Sequence, residues 1–423
     1  IRLSLVGSEM CIRDRGYVAN VLTQARAYMR ARDLSIADYH QRWKDTARRT
    51  KLLRDHQHSV TEYSNCALDT WLTTWEALSK AAQHLLRIWS WLSSAAVARR
   101  DWAGLTGIDS SLPDVDAVEG ACAELRRFHL LRGIDGDADA MHPLDQLISR
   151  DHQREQDATV PALQHTWQWI LAVLAPPLAE GCPEHYFGCE RRWKVHAEFL
   201  LRDADRDGPP MEWQLRLLLQ LSVYARARAD HAQAEGYALS ANRKWHTAGV
   251  DADTLWGAKT QRGLAEASLM LARHAPAYQF ACAGRLLLDA LSPSTRSRAW
   301  QLERSRCMDV LGDVYAAKGQ LDLARAAFAE AEVIRRALAK AAPDNDSYRR
   351  DWSISLGNLG RVDEDKGQLD AARAAFAEAE VISRALAKAA PDNDRYRRGW
   401  SISLENLGRV DQAKGQLDLA RAA

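Results

Sequence analysis

The chain has no excess of charge of either sign: 57 Lys and Arg stand against 56 Asp and Glu, a net charge of +1 over 423 residues. Proteins held on nucleic acid mainly by a cationic field carry a clear basic surplus, so nucleic acid is not expected as the main partner. Long apolar runs are also missing. The longest, Trp169 to Ala179, is broken by Pro176 and Pro177 and is too short to span a bilayer, so no membrane partner is expected. Seven cysteines without even, close spacing do not read as a disulfide framework, which points to a reducing, cytoplasmic compartment. Cys182, His185, Cys189 and His196 contain one tight pair where structural zinc favours two. No metal is expected, and His196 reads as packing or capping within a helix.

Two chemical signatures are absent as well. No Gly-x-x-x-x-Gly-Lys-Ser/Thr occurs, so the backbone cradle for a nucleotide's phosphates is missing. The nearest approach, Gly257-Ala258-Lys259-Thr260, has Ala where the motif needs Gly and reads as a solvated helix start. No Gly-x-Ser-x-Gly elbow presents a nucleophile. No catalytic residue is expected in this chain, although an active site within residues 151–300 stays open as the least favoured alternative.

The two ends are set apart first. Ser4 to Arg15 reads SLVGSEMCIRDR. In one frame, the transposon end used to fragment DNA for sequencing encodes Met-Cys-Ile-Arg-Asp, and the adapter bases before it encode Leu-Val-Gly-Ser-Glu. Residues 1–15 are therefore read as an adapter-derived artefact and excluded from fold reasoning, with native sequence expected from near Gly16. Ala423 falls part-way through a helix that two earlier copies continue, so both natural termini are expected to lie outside this chain.

What is present is periodicity. Gly319, Gly367 and Gly415 recur 48 residues apart, each within Lys-Gly-Gln-Leu-Asp, and segments 319–366 and 367–414 differ at only seven positions. In each unit one helix carries Tyr348, Trp352, Leu356, Leu359 and Val362 on a single stripe. A glycine turn follows, since Gly accepts the left-handed conformation that ends a helix. The second helix faces Leu369, Ala372, Phe376, Ala379, Ile382 and Leu386 inward. The 15 tryptophans share this helical spacing, and Trp352 and Trp400 occupy equivalent positions. They are therefore read as packing groups and not as a stacking platform for bases. Near-identity of the last two units is read as recent duplication.

These units resemble the tetratricopeptide repeat. The residues carrying the resemblance are Leu311, Gly312, Tyr315, Gly319, Ala324, Phe328 and Ala331. The next unit supplies Leu359, Gly360, Gly367, Ala372, Phe376 and Ala379, with Asp363 at the tyrosine position. A third supplies Leu407, Gly408, Gly415 and Ala420. Weaker units precede them at Leu221, Ala234, Ala238 and Ala241, and at Leu264, Ala277 and Ala281. The resemblance implies an α-solenoid whose concave face binds a protein or peptide ligand.

Upstream, residues 17–31, 36–55, 66–98, 116–130, 143–155, 160–175 and 190–203 carry apolar residues at helical spacing. Gly16 and Tyr17 open a first motif continued by Gln24, Ala25, Ala27 and Tyr28, with Ala19 where a proline would stand; Met141, His142, Pro143, Leu144, Gln146 and Arg150 form a later one. Their order resembles the part of STAND (NB-ARC-type) NTPases that follows the P-loop domain, in the bacterial form carrying tetratricopeptide repeats. That resemblance implies a truncated helical bundle over 16–56, a winged-helix-like domain over 57–155 and a helical linker over 156–210. Degenerate repeats over 211–300 and the truncated 48-residue repeats over 301–423 complete a mainly all-α chain. It also implies that His142 contacts ADP in the resting state, beside the plainer reading of a helix-start histidine next to Pro143. No cofactor is expected in this chain, with ADP or ATP and oligomerisation belonging to the full-length protein. The expected role is the sensor half of a signal-transduction ATPase; the alternative is a repeat scaffold without a nucleotide switch.

Overall fold

The computed structural model describes residues 29–30, 33–44, 67–107, 110–134, 137–156, 159–180, 193–202, 210–247, 254–292 and 296–415. The adapter-like segment, the first upstream motif from Gly16 to Tyr28, the trio Cys182, His185 and Cys189, and Ala420 lie outside these residues. Among the described residues the chain is mainly α-helical, and no helix is long and apolar enough to cross a membrane. It divides into two compact units, residues 1–170 with 195–209, and residues 171–194 with 210–423.

In the first unit, α1 (Ile36–Lys44) starts at Ser35, whose hydroxyl accepts from the Asp38 amide at 3.1 Å and donates to the Asp38 carboxylate at 2.6 Å. The helical spacing over 66–98 does not make one continuous helix. It divides into α2 (Ala67–Ala77) and α3 (Lys80–Trp89), and residues Val97–Ala98 form strand β1. The physical reason is Ser79: its Oγ caps α3 by accepting from the Ala82 amide, while its own N–H and O–H bind the Glu124 carboxylate. A capping serine interrupts a helix where apolar periodicity runs on unbroken.

A 3-10 turn (Arg99–Leu105) leads to α4 (Val115–Arg127), capped by Asp114, and then to the hairpin β2 (Leu131–Ile134) and β3 (Ala138–Met141). The sheet order is β1-β3-β2, all antiparallel, with Leu131 opposite Met141 and Val97 opposite Asp139. Helix α5 (Pro143–Glu155) follows directly, and α6 (Thr159–Glu180) adds Thr166 and Trp169 to the core. Trp71 and Trp75 stack at 5.6 Å with His152 edge-on to both, and Trp89 meets Trp169 at 6.1 Å. These indoles pack as the helical spacing predicts.

The second unit is a run of antiparallel helix pairs. They are α7 (Met211–Ala227) with α8 (His231–Thr247), α9 (Thr254–Met270) with α10 (His274–Asp289), α11 (Arg298–Ala317) with α12 (Leu321–Ala341), and α13 (Asp346–Asp365) with α14 (Leu369–Ala389). Helix α15 (Asp394–Ala413) opens the next pair. Each helix packs on its sequence neighbour, and the first helices α7 and α9, α9 and α11, and α13 and α15 also lie side by side.

The five described turns that follow the first helices share one conformation. Gly319, Gly367 and Gly415 have φ of +73°, +73° and +72°, and the corresponding residues of the first two turns are Ala229 at +59° and Ala272 at +55°. In four of them the next residue donates back to the last turn, as Gln320 N–H does to Tyr315 O and Asp230 N–H to Ala225 O, both at 2.9 Å. This is the Schellman closure of a helix. Gly257, Ala258 and Thr260 do stand in the first turns of a helix, but they are buried and not solvated. Their helix is flanked on both sides by neighbouring pairs, and the Trp245 ring lies where a Cβ on Gly257 would have to go.

Candidate functional site

His142 sits between β3 and α5. Its Nδ1 accepts from the Leu144 amide at 3.2 Å, so it caps α5, while Pro143 supplies the first helical residue, where a missing N–H costs nothing. The rest of this motif is structural in the same sense. Gln146 Nε2 donates to the carbonyls of Leu92 and Ser93 and Arg150 to Ser90 O, all beyond the end of α3. These side chains satisfy carbonyls that a helix end leaves over. The donor set at His142 is that of a helix start, and its Nδ1 lone pair is already engaged.

His196 packs within a helix as expected. It is fully buried with Nδ1 3.0 Å from Ser93 Oγ, and burial pushes its pKa down to about 4. Among the described residues no three His, Cys, Asp or Glu side chains are grouped so as to hold a metal ion.

The repeat-signature residues come together as the core of each pair. Ala324, Phe328 and Val362 cluster with Tyr315 and Leu359, and Ala372, Phe376 and Val410 with Leu407. Leu311, Ala331 and Ala379 are buried, as are the early-unit residues Leu221, Ala234, Ala238, Ala241, Leu264, Ala277 and Ala281; Gly408 is half-buried. A Cβ on Gly312 would lie 2.5 Å from the Phe328 ring and one on Gly360 2.6 Å from the Phe376 ring. Each glycine therefore exists to admit its phenylalanine.

Polar ties repeat with the same period. Asp363, at the position where the resemblance expects tyrosine, is buried and takes Arg325 through both oxygens at 2.5 and 3.3 Å; Asp411 takes Arg373 in the same way. The indoles of Trp352 and Trp400 donate to Glu332 and Glu380, each at 2.8 Å. The periodic pattern contained these partners 38 and 20 residues apart, but nothing local marks them.

The tie made by Arg335 is not repeated, and there the surface opens. Arg335, on α12, is buried between α11 and α13, where it donates to Ser305 Oγ at 3.1 Å and Ser355 Oγ at 2.8 Å and pairs with Asp309. One period later the same four places hold Ser383, Ser353, Ser403 and Gly357. The arginine and its carboxylate are both gone, and a cleft of about 610 Å³ occupies the corresponding place between α13, α14 and α15, with all four of these residues in its wall.

Ile354, Leu386, Tyr396 and Ile402 give the cleft an apolar side. Five arginines also line it, Arg350, Arg361, Arg395, Arg398 and Arg409, and no Asp or Glu does. Three of these have carboxylates outside the wall: Arg409 with Glu364 at 2.7 Å, Arg361 with Asp313 at 3.4 Å and Arg350 with Asp351 at 3.4 Å. Burial, and then the neighbouring Arg395 charge, push the Arg350 pKa down to about 10.

No protein-family model matches the chain. A search of curated proteins likewise finds no relative. Among solved structures, the chain is similar to the apo form of RapI at 11% identity and a TM-score of 0.44, over 66% of this chain and 67% of that one. It is similar to BtubC (BKLC) from P. vanneervenii at 17% identity and 0.42, over 56% and 87%. A third likeness, at 13% identity and 0.26 over 95% and 67%, is to the Signal Transduction ATPase with Numerous Domains (STAND) protein with a tetratricopeptide repeat sensor PH0952 from Pyrococcus horikoshii. At these identities and scores none of the three bears on function.

Proposed function

We propose that the second unit is a protein-interaction module that binds a partner segment along the face of its first helices, without catalysis of its own. The observation that carries this reading is the cleft between α13 and α15, which offers exposed Ile354 and Ile402 side chains one period apart beside buried Leu386. A groove with apolar anchors and polar walls is how helical arrays hold extended segments. The test is panning of a random peptide display library on the purified chain, followed by affinity measurement on variants. I354E with I402E should weaken selected peptides by roughly tenfold or more, the cost of removing a central anchor. V381E, on the exposed outer side of α14, should leave them unchanged. The reverse pattern would overturn the assignment.

The finer reading is that this module is the sensor half of a STAND-type ATPase. Supporting it, the first unit runs helix, strand β1, short helix, α4 and then the hairpin β2–β3, with sheet order β1-β3-β2. This order agrees with the winged-helix-like domain that the resemblance expects over 57–155. A relay of this kind requires the partner to bind two states of the protein with different affinity. Unfragmented sequencing upstream of the Gly16 codon decides between the readings. A strand followed by Gly-x-x-x-x-Gly-Lys-Ser/Thr in frame sustains the switch, whereas a nearby start codon without it leaves a repeat scaffold.

A further inference from the structure

The cleft marks a place where the fold has removed one of its own side chains. In the preceding pair, Arg335 fills the space between α11 and α13, and its charge is balanced by Asp309 and two serine hydroxyls. Substituting only Arg335's counterpart would have left a largely desolvated carboxylate without a partner, which is destabilising. Both members are replaced together, by Ser383 and Gly357, so the second site is neutral at its floor and empty. The two serines that held Arg335 persist as Ser353 and Ser403, and Ser403 Oγ accepts from Ser383 Oγ at 3.1 Å. Gly399 in the wall replaces Asp351 of the preceding unit, which removes another carboxylate and more volume. A Cβ at Gly357 or at Gly399 would meet nothing within 4 Å. Each of these changes enlarges the space or deletes negative charge from it, and the rim that remains is arginine.

We propose that this cleft receives an acidic side chain of the partner segment, its carboxylate entering the space that Arg335 fills one repeat earlier and meeting the arginine rim and the hydroxyls of Ser353 and Ser403. The inference rests on the interaction-module reading above and adds the chemistry of the ligand. A basic partner is disfavoured because no carboxylate lines the wall. An uncharged one would make no use of the wall's excess of basic over acidic side chains, five arginines to no carboxylate. The apolar side formed by Ile354, Leu386 and Tyr396 sets the second requirement, an apolar residue next to the acidic one.

The test uses three fluorescein-labelled peptides, acetylated and amidated so that no terminal charge contributes. One alternates glutamate with leucine, the second has glutamine for every glutamate, and the third has lysine. Fluorescence anisotropy with the whole chain should show the glutamate peptide binding roughly tenfold or more tighter than the glutamine one, with affinity falling as salt rises. The double variant S383R with G357D rebuilds the pair already present one repeat earlier. It should keep the fold and lose the glutamate peptide by a similar factor. R398Q, at an exposed rim position, should cost about two- to fivefold, the effect of one solvated charge. Equal affinity for the glutamate and glutamine peptides, or full binding by the refilled variant, would overturn the proposal. If the glutamine peptide binds as tightly as the glutamate one and I354E with I402E abolishes both, the interaction reading stands and the acidic inference falls. If no peptide's binding depends on the cleft, both fall.

Discussion

Replacing Ala229 or Ala272 by glycine should stabilise the early helix pairs by an amount that backbone sterics alone determine. Both alanines hold left-handed backbone, at φ +59° and +55°, in turns whose later equivalents are glycine at +72° to +73°. The closing hydrogen bonds are the same: Ala229 N–H to Arg226 O and Gly319 N–H to Ala316 O, both 2.9 Å. A left-handed residue bearing a Cβ costs about 1–2 kcal/mol relative to the right-handed helix. Glycine's larger freedom in the unfolded chain takes back about 0.4–1 kcal/mol. The net gain is therefore roughly 0.5–1 kcal/mol for each of A229G and A272G. G319A is the mirror experiment, and a clean one, because a Cβ there meets nothing within 4 Å. It should lose about as much through backbone strain alone. Helix pairs in such arrays open locally, so native-state hydrogen exchange is the appropriate assay. Amides across residues 211–247 should gain about two- to fivefold in protection in A229G, since one kcal/mol corresponds to a factor of about five. Unchanged or lower protection in A229G, or higher protection around the Gly319 turn in G319A, would refute the reasoning.

Other perturbations separate packing from charge. G312A places a methyl group against the fully buried Phe328 ring, and overpacking of this kind costs about 1–3 kcal/mol; protection from hydrogen exchange over α11 and α12 should fall accordingly, while G357A, with open space at its Cβ, should cost far less. His196 is held neutral by burial, its pKa lowered to about 4. Its contribution is fully present above the unfolded value near 6.5 and is lost as pH falls from there toward 4, by on the order of 3 kcal/mol. Urea midpoints at pH 7 and pH 4.5 should therefore differ more in the native protein than in H196Q; an equal difference would contradict this.

The sequence revealed the parts of the fold that repeat. Gly319, Gly367 and Gly415 with Phe328 and Phe376 were legible because close helix approach and a left-handed turn each demand a particular residue type, and the 48-residue period shows it again and again. Ala229 and Ala272 escaped notice because alanine carries no turn signal, although the backbone there is the same. The helical spacing over 66–98 gives no sign of the break at Ser79, where one hydroxyl and one distant carboxylate, Glu124, interrupt an apolar stripe that runs on. His142 was legible as a helix start from Pro143 alone. The cleft was hidden for the opposite reason: it is written in the differences between repeats. Arg335 against Ser383 and Asp351 against Gly399 are two of the seven positions at which the last units diverge. Only the packing of α11, α12 and α13 shows that Arg335 fills a space its counterpart leaves open.

The most direct test of the interaction reading is methyl NMR of the whole chain during titration with a peptide selected by panning. Ile354 and Ile402, which share the cleft wall, should shift together and saturate at one stoichiometric equivalent, while Val333 and Val381, exposed on α12 and α14, stay unmoved. Saturable shifts at Val333 and Val381 with Ile354 and Ile402 unchanged would contradict the account.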